Sequence, residues 1–376
     1  MKISLTIPSV NQAPTHSRPR ACVYCEEPIL HRHGTITKPL RDHKLAEVIV
    51  QRYKCVSCGR TFRHYPAGIT QKSQSQSTVV LAALMYGLGL SCSAASHLLR
   101  ALGVDLAKMS VWRDAQQAGE ALRRRRRPVG RVRVLGADET VYKVKGRKVV
   151  VGFVVDGVSG KTLGFEVLLE GDGEAFEEWL APYAKELGAQ ILVSDDNDSY
   201  SVAAAGLGME HQLCVAHVRK YVAKRSKSII EQARAEWGEG DKRLDELAQD
   251  LGLVKELVEQ LREEGGARMG RLHRRYSWAP PPERKGEKAS AAYRMRMLTL
   301  ELWEKWEKLR LHRARPELGF LDGTNNASER SIGKSKVRYK TMRGYKSTDG
   351  MKNGIALTQW LYSGEDEHNL AKEMAA

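Results

Sequence analysis

Three acidic residues, far apart in the chain, stand where a carboxylate needs a reason. Asp138 closes the apolar run Val132-Arg-Val-Leu-Gly-Ala, and Asp195 closes a second one, Ala189-Gln-Ile-Leu-Val-Ser. Glu329 lies in Asn325-Asn-Ala-Ser-Glu-Arg330, at the start of an expected helix. A carboxylate at the end of a buried strand is costly unless something pairs with it. Two strand-end carboxylates and a helical one make an oxygen-ligand site suited to Mg²⁺, which takes few carboxylates and keeps waters for substrate phosphates. Two such ions about 3.5–4 Å apart clamp the attacking and leaving oxygens of a phosphodiester. Each acid also has a plainer reading. A lone strand-end Asp is a common turn residue or helix cap. Glu329 fits a capping box with Asn326 as the cap, and a capped helix start would fix its carboxylate.

A second constellation sits at the front. Four of the six cysteines pair as Cys22-x-x-Cys25 and Cys55-x-x-Cys58. In a reducing compartment this spacing predicts a zinc site rather than disulfides. Two C-x-x-C turns bring four thiolates into a tetrahedron at Zn–S distances of about 2.3 Å. Lys44 to Lys54 reads as a strand leading into the second turn, and Gly59 permits the tight bend after Cys58. The pattern is a zinc ribbon with one structural zinc; a redox pair is the alternative. His31, His33, His43 and His64 lie nearby, but four cysteines already close the shell.

The elements that must position these residues follow from periodicity. Between Thr70 and Leu122 the pattern is helical, with Val79, Leu81, Leu84 and Leu88 on one face. A short helix ending at Gly103 and another opening near Ser110 make a helix-turn-helix plan. The second helix of such a pair lies in the major groove, so Lys108, Ser110, Arg113 and Gln117 are its candidate DNA-facing residues. Five arginines follow, Arg123, Arg124, Arg125, Arg126 and Arg127, ended by Pro128 and Gly130. They read as a linker tracking phosphates, with a solvated linker as the bland alternative. Three strands are expected over 132–137, 149–155 and 162–169, then a helix over 174–187, a strand over 189–194 and a helix from Tyr200. His211 to His217 reads as a last strand turning into a basic helix. The block from 219 to 320 is helical and charged, with Trp303 and Trp306 at helical spacing, read as core. Leu357, Trp360 and Leu361 are expected to pack the helical end of the chain onto the sheet.

The whole-chain numbers set the frame. The 376 residues suffice for two or three domains. Hydrophobic content of 42% is that of a globular chain. Sixty-one Lys and Arg against 45 Asp and Glu give +16, the excess of a nucleic-acid binder or of a solvated basic surface. No apolar run of about 18 residues is present, so no membrane span is expected. The N-terminus lacks a signal-peptide core, so a cytoplasmic, nucleoid-associated location is expected.

The order Asp, Asp, Glu, with a long gap before the Glu, resembles the DDE transposases of prokaryotic insertion sequences. The matching stretches are Gly136–Gly146, Ile191–Tyr200, His211–His217 and Thr324–Arg330, within a resemblance covering 131 to about 362. The resemblance implies a ribonuclease H-like catalytic domain with catalytic, Mg-binding residues Asp138, Asp195 and Glu329. Asp138 would bridge two Mg²⁺ ions, for which Mn²⁺ can substitute, while Asp195 and Glu329 would each hold one. Asp195 rather than Asp196 takes the family's position after Ser or Thr, and Asp198 is expected to cap the following helix. Cys214 and His217 match a C-x-x-H signature of related transposases and are expected to be structural near the site. Lys336, with Arg330 and Arg338 beside it, would hold the DNA end. The family implies DNA partners (terminal inverted repeats and target DNA) and a homodimer.

The fold class expected is therefore multidomain α/β: a ribonuclease H-like mixed sheet interrupted by a helical insertion, preceded by a zinc ribbon and a helix-turn-helix. The expected domains are a zinc ribbon over 1–69, a helix-turn-helix over 70–122, a basic linker over 123–130, the first catalytic part over 131–218, an all-α insertion over 219–320 and the second catalytic part over 321–376. The expected activity is metal-dependent DNA cutting and joining of the 3′-OH end to target DNA. The alternatives are a non-catalytic zinc-ribbon and helix-turn-helix regulator, and a structure-specific nuclease of the same fold.

Overall fold

Alternation in Glu47–Cys55 buries Val48 and Val50 on one face and Tyr53 and Cys55 on the other, and this segment is the middle strand of the N-terminal sheet. The computed structural model describes residues 7, 8, 10, 18–124, 130–168, 173–284, 286–320, 322–363 and 369–375. Contacts divide the chain into two units. One comprises Met1–Pro128, Tyr142–Lys148 and Gly333–Ala376; the other comprises Val129–Val141 and Val149–Ile332.

In the first unit, β1 (Leu30–Pro39), β2 (Glu47–Cys55) and β3 (Thr61–His64) form an antiparallel sheet in that order. Three helices follow, α1 (Gln76–Gly87), α2 (Cys92–Ala101) and α3 (Lys108–Arg124). Ser75 and Ser91 cap α1 and α2, accepting the amides of Thr78 and Ala94. Gly103, at φ +83°, takes the left-handed turn after α2 that an L side chain resists. Ala95, Leu99, Val104, Leu106 and Val111 pack α2 and α3 into the expected helix-turn-helix.

The C-terminal helix corrects an expectation. Leu357, Trp360 and Leu361, on α12 (Thr348–Leu361), pack against Val80, Leu84, Ala115 and Ala118 of α1 and α3, not against the catalytic sheet. The two backbones come so close that a Cβ on Gly119 would lie 2.3 Å from the Asn353 carbonyl. An aromatic and aliphatic stripe does not announce its partner; here the partner is the oily back of the helix-turn-helix.

Except for Tyr142–Lys148 at the β4–β5 turn, the second unit holds five strands: β4 (Val134–Val144), β5 (Arg147–Asp156), β6 (Thr162–Leu168), β7 (Ile191–Ser194) and β8 (Glu210–Leu213). Their order is β6-β5-β4-β7-β8. β5 pairs antiparallel with β6, while β7 runs parallel to β4 and β8 parallel to β7. This is the ribonuclease H-like arrangement. On one face α4 (Gly173–Leu187) and α5 (Asp198–Gly206) cover Leu135, Ala137 and Leu192 through Phe176, Trp179, Leu180 and Tyr200. The other face presents Val134, Ile191 and Val193 to Leu311, Leu318 and Phe320.

Between β8 and the last acid the chain forms α6 (Val215–Trp237), α7 (Lys242–Gln260), α8 (Gly265–Arg275), α9 (Ala291–Glu304) and α10 (Trp306–Ala314), with a core of their own. The helical run expected through Leu298–Leu309 is broken at Lys305, which separates its two tryptophans. Trp306 is buried on Gly265 and Gly266, its indole N–H donating to the Arg262 carbonyl at 3.1 Å. Trp303 is not core: it lies over Gly270 and stays 41% exposed. Helices α11 (Asn326–Lys340), α12 and α13 (Leu370–Ala375) complete the chain. Among the described residues, no helix is long and apolar enough to cross a membrane.

Candidate active site and metal cluster

The pairing of β4 with β7 sets the two aspartates side by side. The register matches Val134 with Ile191, Leu135 with Leu192 and Gly136 with Val193. The same offset carried two residues further brings Asp138 level with Asp195, not Asp196. Alternation along the strands then puts both on the face of Gly136 and Val193. Asp195 turns back on its own loop, its Oδ1 accepting the Asn197 amide at 3.2 Å. Asp196 instead meets the Lys305 ammonium at 2.6 Å.

Glu329 arrives through a side chain the sequence reading left without a role. Asn325, 1% exposed, donates from Nδ2 to the Ala137 carbonyl at 2.7 Å, immediately before Asp138. Its Oδ1 accepts the Ser328 hydroxyl at 2.6 Å, and its carbonyl accepts the Glu329 amide at 3.2 Å. Its own amide donates to Cys214 Sγ at 3.2 Å. One residue, through its side chain and its backbone, thus ties β4, the start of α11 and the β8–α6 corner together. The expected cap Asn326 is instead the first helical residue, because Asn325 supplies the first carbonyl. Close approach also needs Gly136, where a Cβ would meet Ser328 Oγ at 2.9 Å and Asn325 Oδ1 at 3.0 Å. A similar one-residue correction applies after β7, where Asn197, not Asp198, caps α5.

The carboxylates crowd one another. Burial pushes Asp138 up to about 7, and the nearby charges of Glu139, Asp195 and Glu329 push the same way, against the Glu139 amide donated to it. Glu139 is also raised, first by burial, and Tyr200 donates its hydroxyl to it from α5. His217 Nε2 stands 3.4 Å from Glu329 Oε1. Of the C-x-x-H pair, Cys214 Sγ accepts the Asn325 amide and His217 faces the Glu329 carboxylate. Below Asp195, His211 is buried with both ring nitrogens engaged, Nε2 with Ser194 Oγ at 2.7 Å and Nδ1 with Ser201 Oγ at 2.9 Å. Burial, reinforced by Lys308, lowers its pKa to about 4, so it is a neutral strut. Glu139 and His211 both lie inside the quoted motifs; that they face α5 was readable only once strand phase was known.

The front cluster is tighter. The sulfurs of Cys22, Cys25, Cys55 and Cys58 all lie within 4.8 Å of one another, and they form the only such group of three or more potential ligands among the described residues. Cys22 and Cys58 are 3.8 Å apart, and Cys25 and Cys55 3.6 Å. A tetrahedron with Zn–S of about 2.3 Å has edges of about 3.8 Å, so the thiolates fit zinc. The two turns are built alike: Glu26 N–H bonds the Cys22 carbonyl and Gly59 N–H the Cys55 carbonyl, each residue at positive φ. The carboxylates of Asp138, Asp195 and Glu329 are not gathered to that degree, but as hard oxygen donors around one crowded point they fit a divalent cation such as Mg²⁺.

A sequence model of the IS66 transposase family matches residues 73–353. The chain belongs to the IS66 transposase family. No curated protein matches the sequence. Similar solved structures include the HTLV-2 integrase catalytic core domain in complex with magnesium, 14% identical, covering 33% of this chain and 85% of that one at a TM-score of 0.21. The catalytic core domain of BIV integrase is 11% identical, over 45% of this chain and 97% of that one, at a TM-score of 0.20.

The DNA-facing candidates of this transposase divide by exposure. Lys108, Arg113 and Gln117 are exposed on α3 and Ser110 is half-buried; Gln117 accepts from Lys72 at 2.7 Å. Arg123 donates to Asn353 Oδ1 at 3.0 Å and Arg124 to Glu120 at 2.5 Å. Arg125, Arg126 and Arg127 lie outside the described residues. Arg330 is exposed, and Lys336 lies 5.7 Å from the Tyr142 ring centroid. Arg338 leaves the set: it is 5% exposed, its guanidinium 4.3 Å from the Tyr86 ring centroid and bonded to Thr341. Counting positive charges along α11 could not tell a packed guanidinium from a presented one.

Proposed function

We propose that the chain cuts DNA at the ends of its insertion sequence by metal-dependent hydrolysis and joins the freed 3′-OH to target DNA. What supports this is the β4–β7 register, which from Gly136 and Val193 runs on towards Asp138 and Asp195, with Glu329 close enough to raise the Asp138 carboxyl. Divalent cations held by Asp138, Asp195 and Glu329 would supply charge stabilisation for the attacking and leaving oxygens. The chain's own residues do the positioning. Asn325 fixes Glu329 relative to the Asp138 strand end, and the Ser201–His211–Ser194 chain fixes the Asp195 strand end. In the first step a water oxygen bonds to phosphorus, the P–O3′ bond breaks, and a 3′-OH and a 5′-phosphate are left. In the second that 3′-OH oxygen bonds to a target phosphorus and displaces a target 3′-oxygen. One phosphoester is exchanged for another, so joining needs no external energy source.

Recognition of the terminal repeats falls to α3, through Lys108, Ser110, Arg113 and Gln117, with Arg330, Lys336 and the 123–127 arginines on phosphates. Two chains on paired ends would make the working unit. The test uses the full chain, Mg²⁺ and duplexes carrying the inverted repeats that flank the gene. Asp138→Asn and Glu329→Gln should bind these duplexes normally and lose cutting by about a thousandfold, the scale of several kcal/mol of lost charge stabilisation. Wild-type rates in either variant would overturn the assignment of the acids. Cutting without any joined product would leave the nuclease reading, and binding without cutting the regulator.

A further inference from the structure

A cavity of about 270 Å³ opens beside Asp195, between the end of β7, the start of α6 and the α9–α10 corner. Leu213, Val218, Leu302, Leu309 and the Tyr221 ring give it apolar walls; Asn197, Asp196, Glu301 and Lys305 give it a polar edge. The volume is near the lower limit of small-molecule sites, about 300 Å³, and too small for a whole nucleotide with sugar and phosphate. The charge excludes an anion as well. Three carboxylates, Asp195, Asp196 and Glu301, line it against the His217 imidazole and one ammonium, Lys305, which already touches Asp196 at 2.6 Å and Glu301 at 3.3 Å. What fits is a flat, uncharged ring bearing N–H donors. The aromatic wall is held in place for such a guest. Tyr221 donates its hydroxyl to Glu301 at 2.7 Å, accepts from Arg225 at 3.0 Å, and has the Arg225 guanidinium 5.3 Å from its ring centroid.

We propose that this cavity receives a nucleobase of the substrate strand, turned out of the stack next to the phosphate that is cut. This rests on the catalytic reading above, because Asp195 is shared between the proposed metal site and the cavity wall. Enzymes that do chemistry on a base extrude it into such pockets, reading it by stacking and by its Watson–Crick edge, and the same lodging would serve here to hold the strand. Carboxylates accept from exocyclic amino groups, as from cytosine N4, so the pocket favours a base with an amino edge over thymine. Lodging one base here would fix the neighbouring phosphate in register with the acids.

The test uses the full chain and duplexes spanning the mapped cut, with 2-aminopurine placed in turn on each side of it. Ca²⁺ replaces Mg²⁺ so that binding is read without cutting. The expected result is an emission change of several-fold at one position beside the cut. Tyr221→Ala should remove that change and slow cutting in Mg²⁺ about tenfold, the scale of one lost base–aromatic stack, while Tyr221→Phe, keeping the ring, restores the emission change. An abasic site at the same position should erase the difference in cutting rate between wild type and Tyr221→Ala. Wild-type cutting with no emission change at any position, or an emission change that Tyr221→Ala leaves intact, overturns the pocket alone. Binding with no cutting by the wild type overturns the catalytic reading and the pocket with it.

Discussion

The four thiols at the front and the three acids at the centre are both candidate metal sites, built on opposite principles. The thiols sit at the ends of two matching turns, two of their pairs 3.6 and 3.8 Å apart and all four within 4.8 Å, close to the edges of a zinc tetrahedron. The acids sit on a rigid sheet and a helix start that owe nothing to an ion. Their packing rests on the apolar contacts of Leu135, Ala137 and Leu192 with the covering helices and on the Asn325 hydrogen bonds. The first site would fold around its metal; the second would be folded beforehand, with burial and neighbouring carboxylates pushing Asp138 up to about 7. A structural ion replaces a core, whereas a working ion must find a frame that stands without it.

The largest effect should separate the two at once. Stripping metal with a chelator, or Cys55→Ser, should cost the β1–β3 ribbon the folding energy that zinc supplies, on the order of 10 kcal/mol in small zinc domains. Hydrogen exchange should then open across β1–β3 while β4, β7 and β8 stay protected. Protection of both sheets in chelator would break the contrast.

Next comes the sign of a substitution. Asp138→Asn should raise the stability of the metal-free protein by about 1–3 kcal/mol at pH 8, because it removes one of several crowded negative charges. Removal of a thiol does the reverse. A melting temperature that falls in Asp138→Asn would mean that the acids are not strained.

The sheet beneath the acids provides a third measure. His211, at about 4 when folded and 6.5 ordinarily, is held neutral. Its contribution is therefore complete above pH 6.5 and is lost as pH falls from 6.5 towards 4, by about 3 kcal/mol at 1.36 kcal/mol per unit. Denaturant titrations should show this loss in wild type and a flatter acid limb in His211→Gln. Equal slopes would take the histidine out of the frame.

The smallest effect is expected at Asp196. Its pair with Lys305 is about one-third exposed on both sides, so Asp196→Asn should cost under about 1 kcal/mol. It should keep cutting within a few-fold, where Asp195→Asn loses it. The opposite outcome would shift the site by one residue along the strand end.

Much of this was legible in the chain. Two C-x-x-C turns, an alternating strand between them and Asp-ended apolar runs are local patterns, and local patterns survive folding. A preceding Ser favours Asp195 over Asp196, and the β4–β7 register, paired as far as Gly136 and Val193, runs on towards the same residue. What sequence left open was partnership at long range. Asn325 looked like part of a helix signal, yet its side chain spans to Ala137, 188 positions away. Arg338 looked like a DNA contact, yet Tyr86 covers it. Trp303 and Trp306 share a spacing but not a fate, because a break at Lys305 turns one outward.

The seating of α12 on α1 and α3 bears on how the protein comes into being. The helix-turn-helix emerges early in synthesis, but Leu357, Trp360 and Leu361, which fill its back, are made more than 200 residues later. At about 5–20 residues per second the ribosome leaves that oily surface bare for ten seconds or more. An unfinished chain would thus carry the helix-turn-helix with its apolar back uncovered, and on the function proposed above only a fully translated one, with Asp138, Asp195 and Glu329 already made, would hold an end firmly. Premature termination should yield products that aggregate or are degraded rather than truncated repressors that occupy the ends.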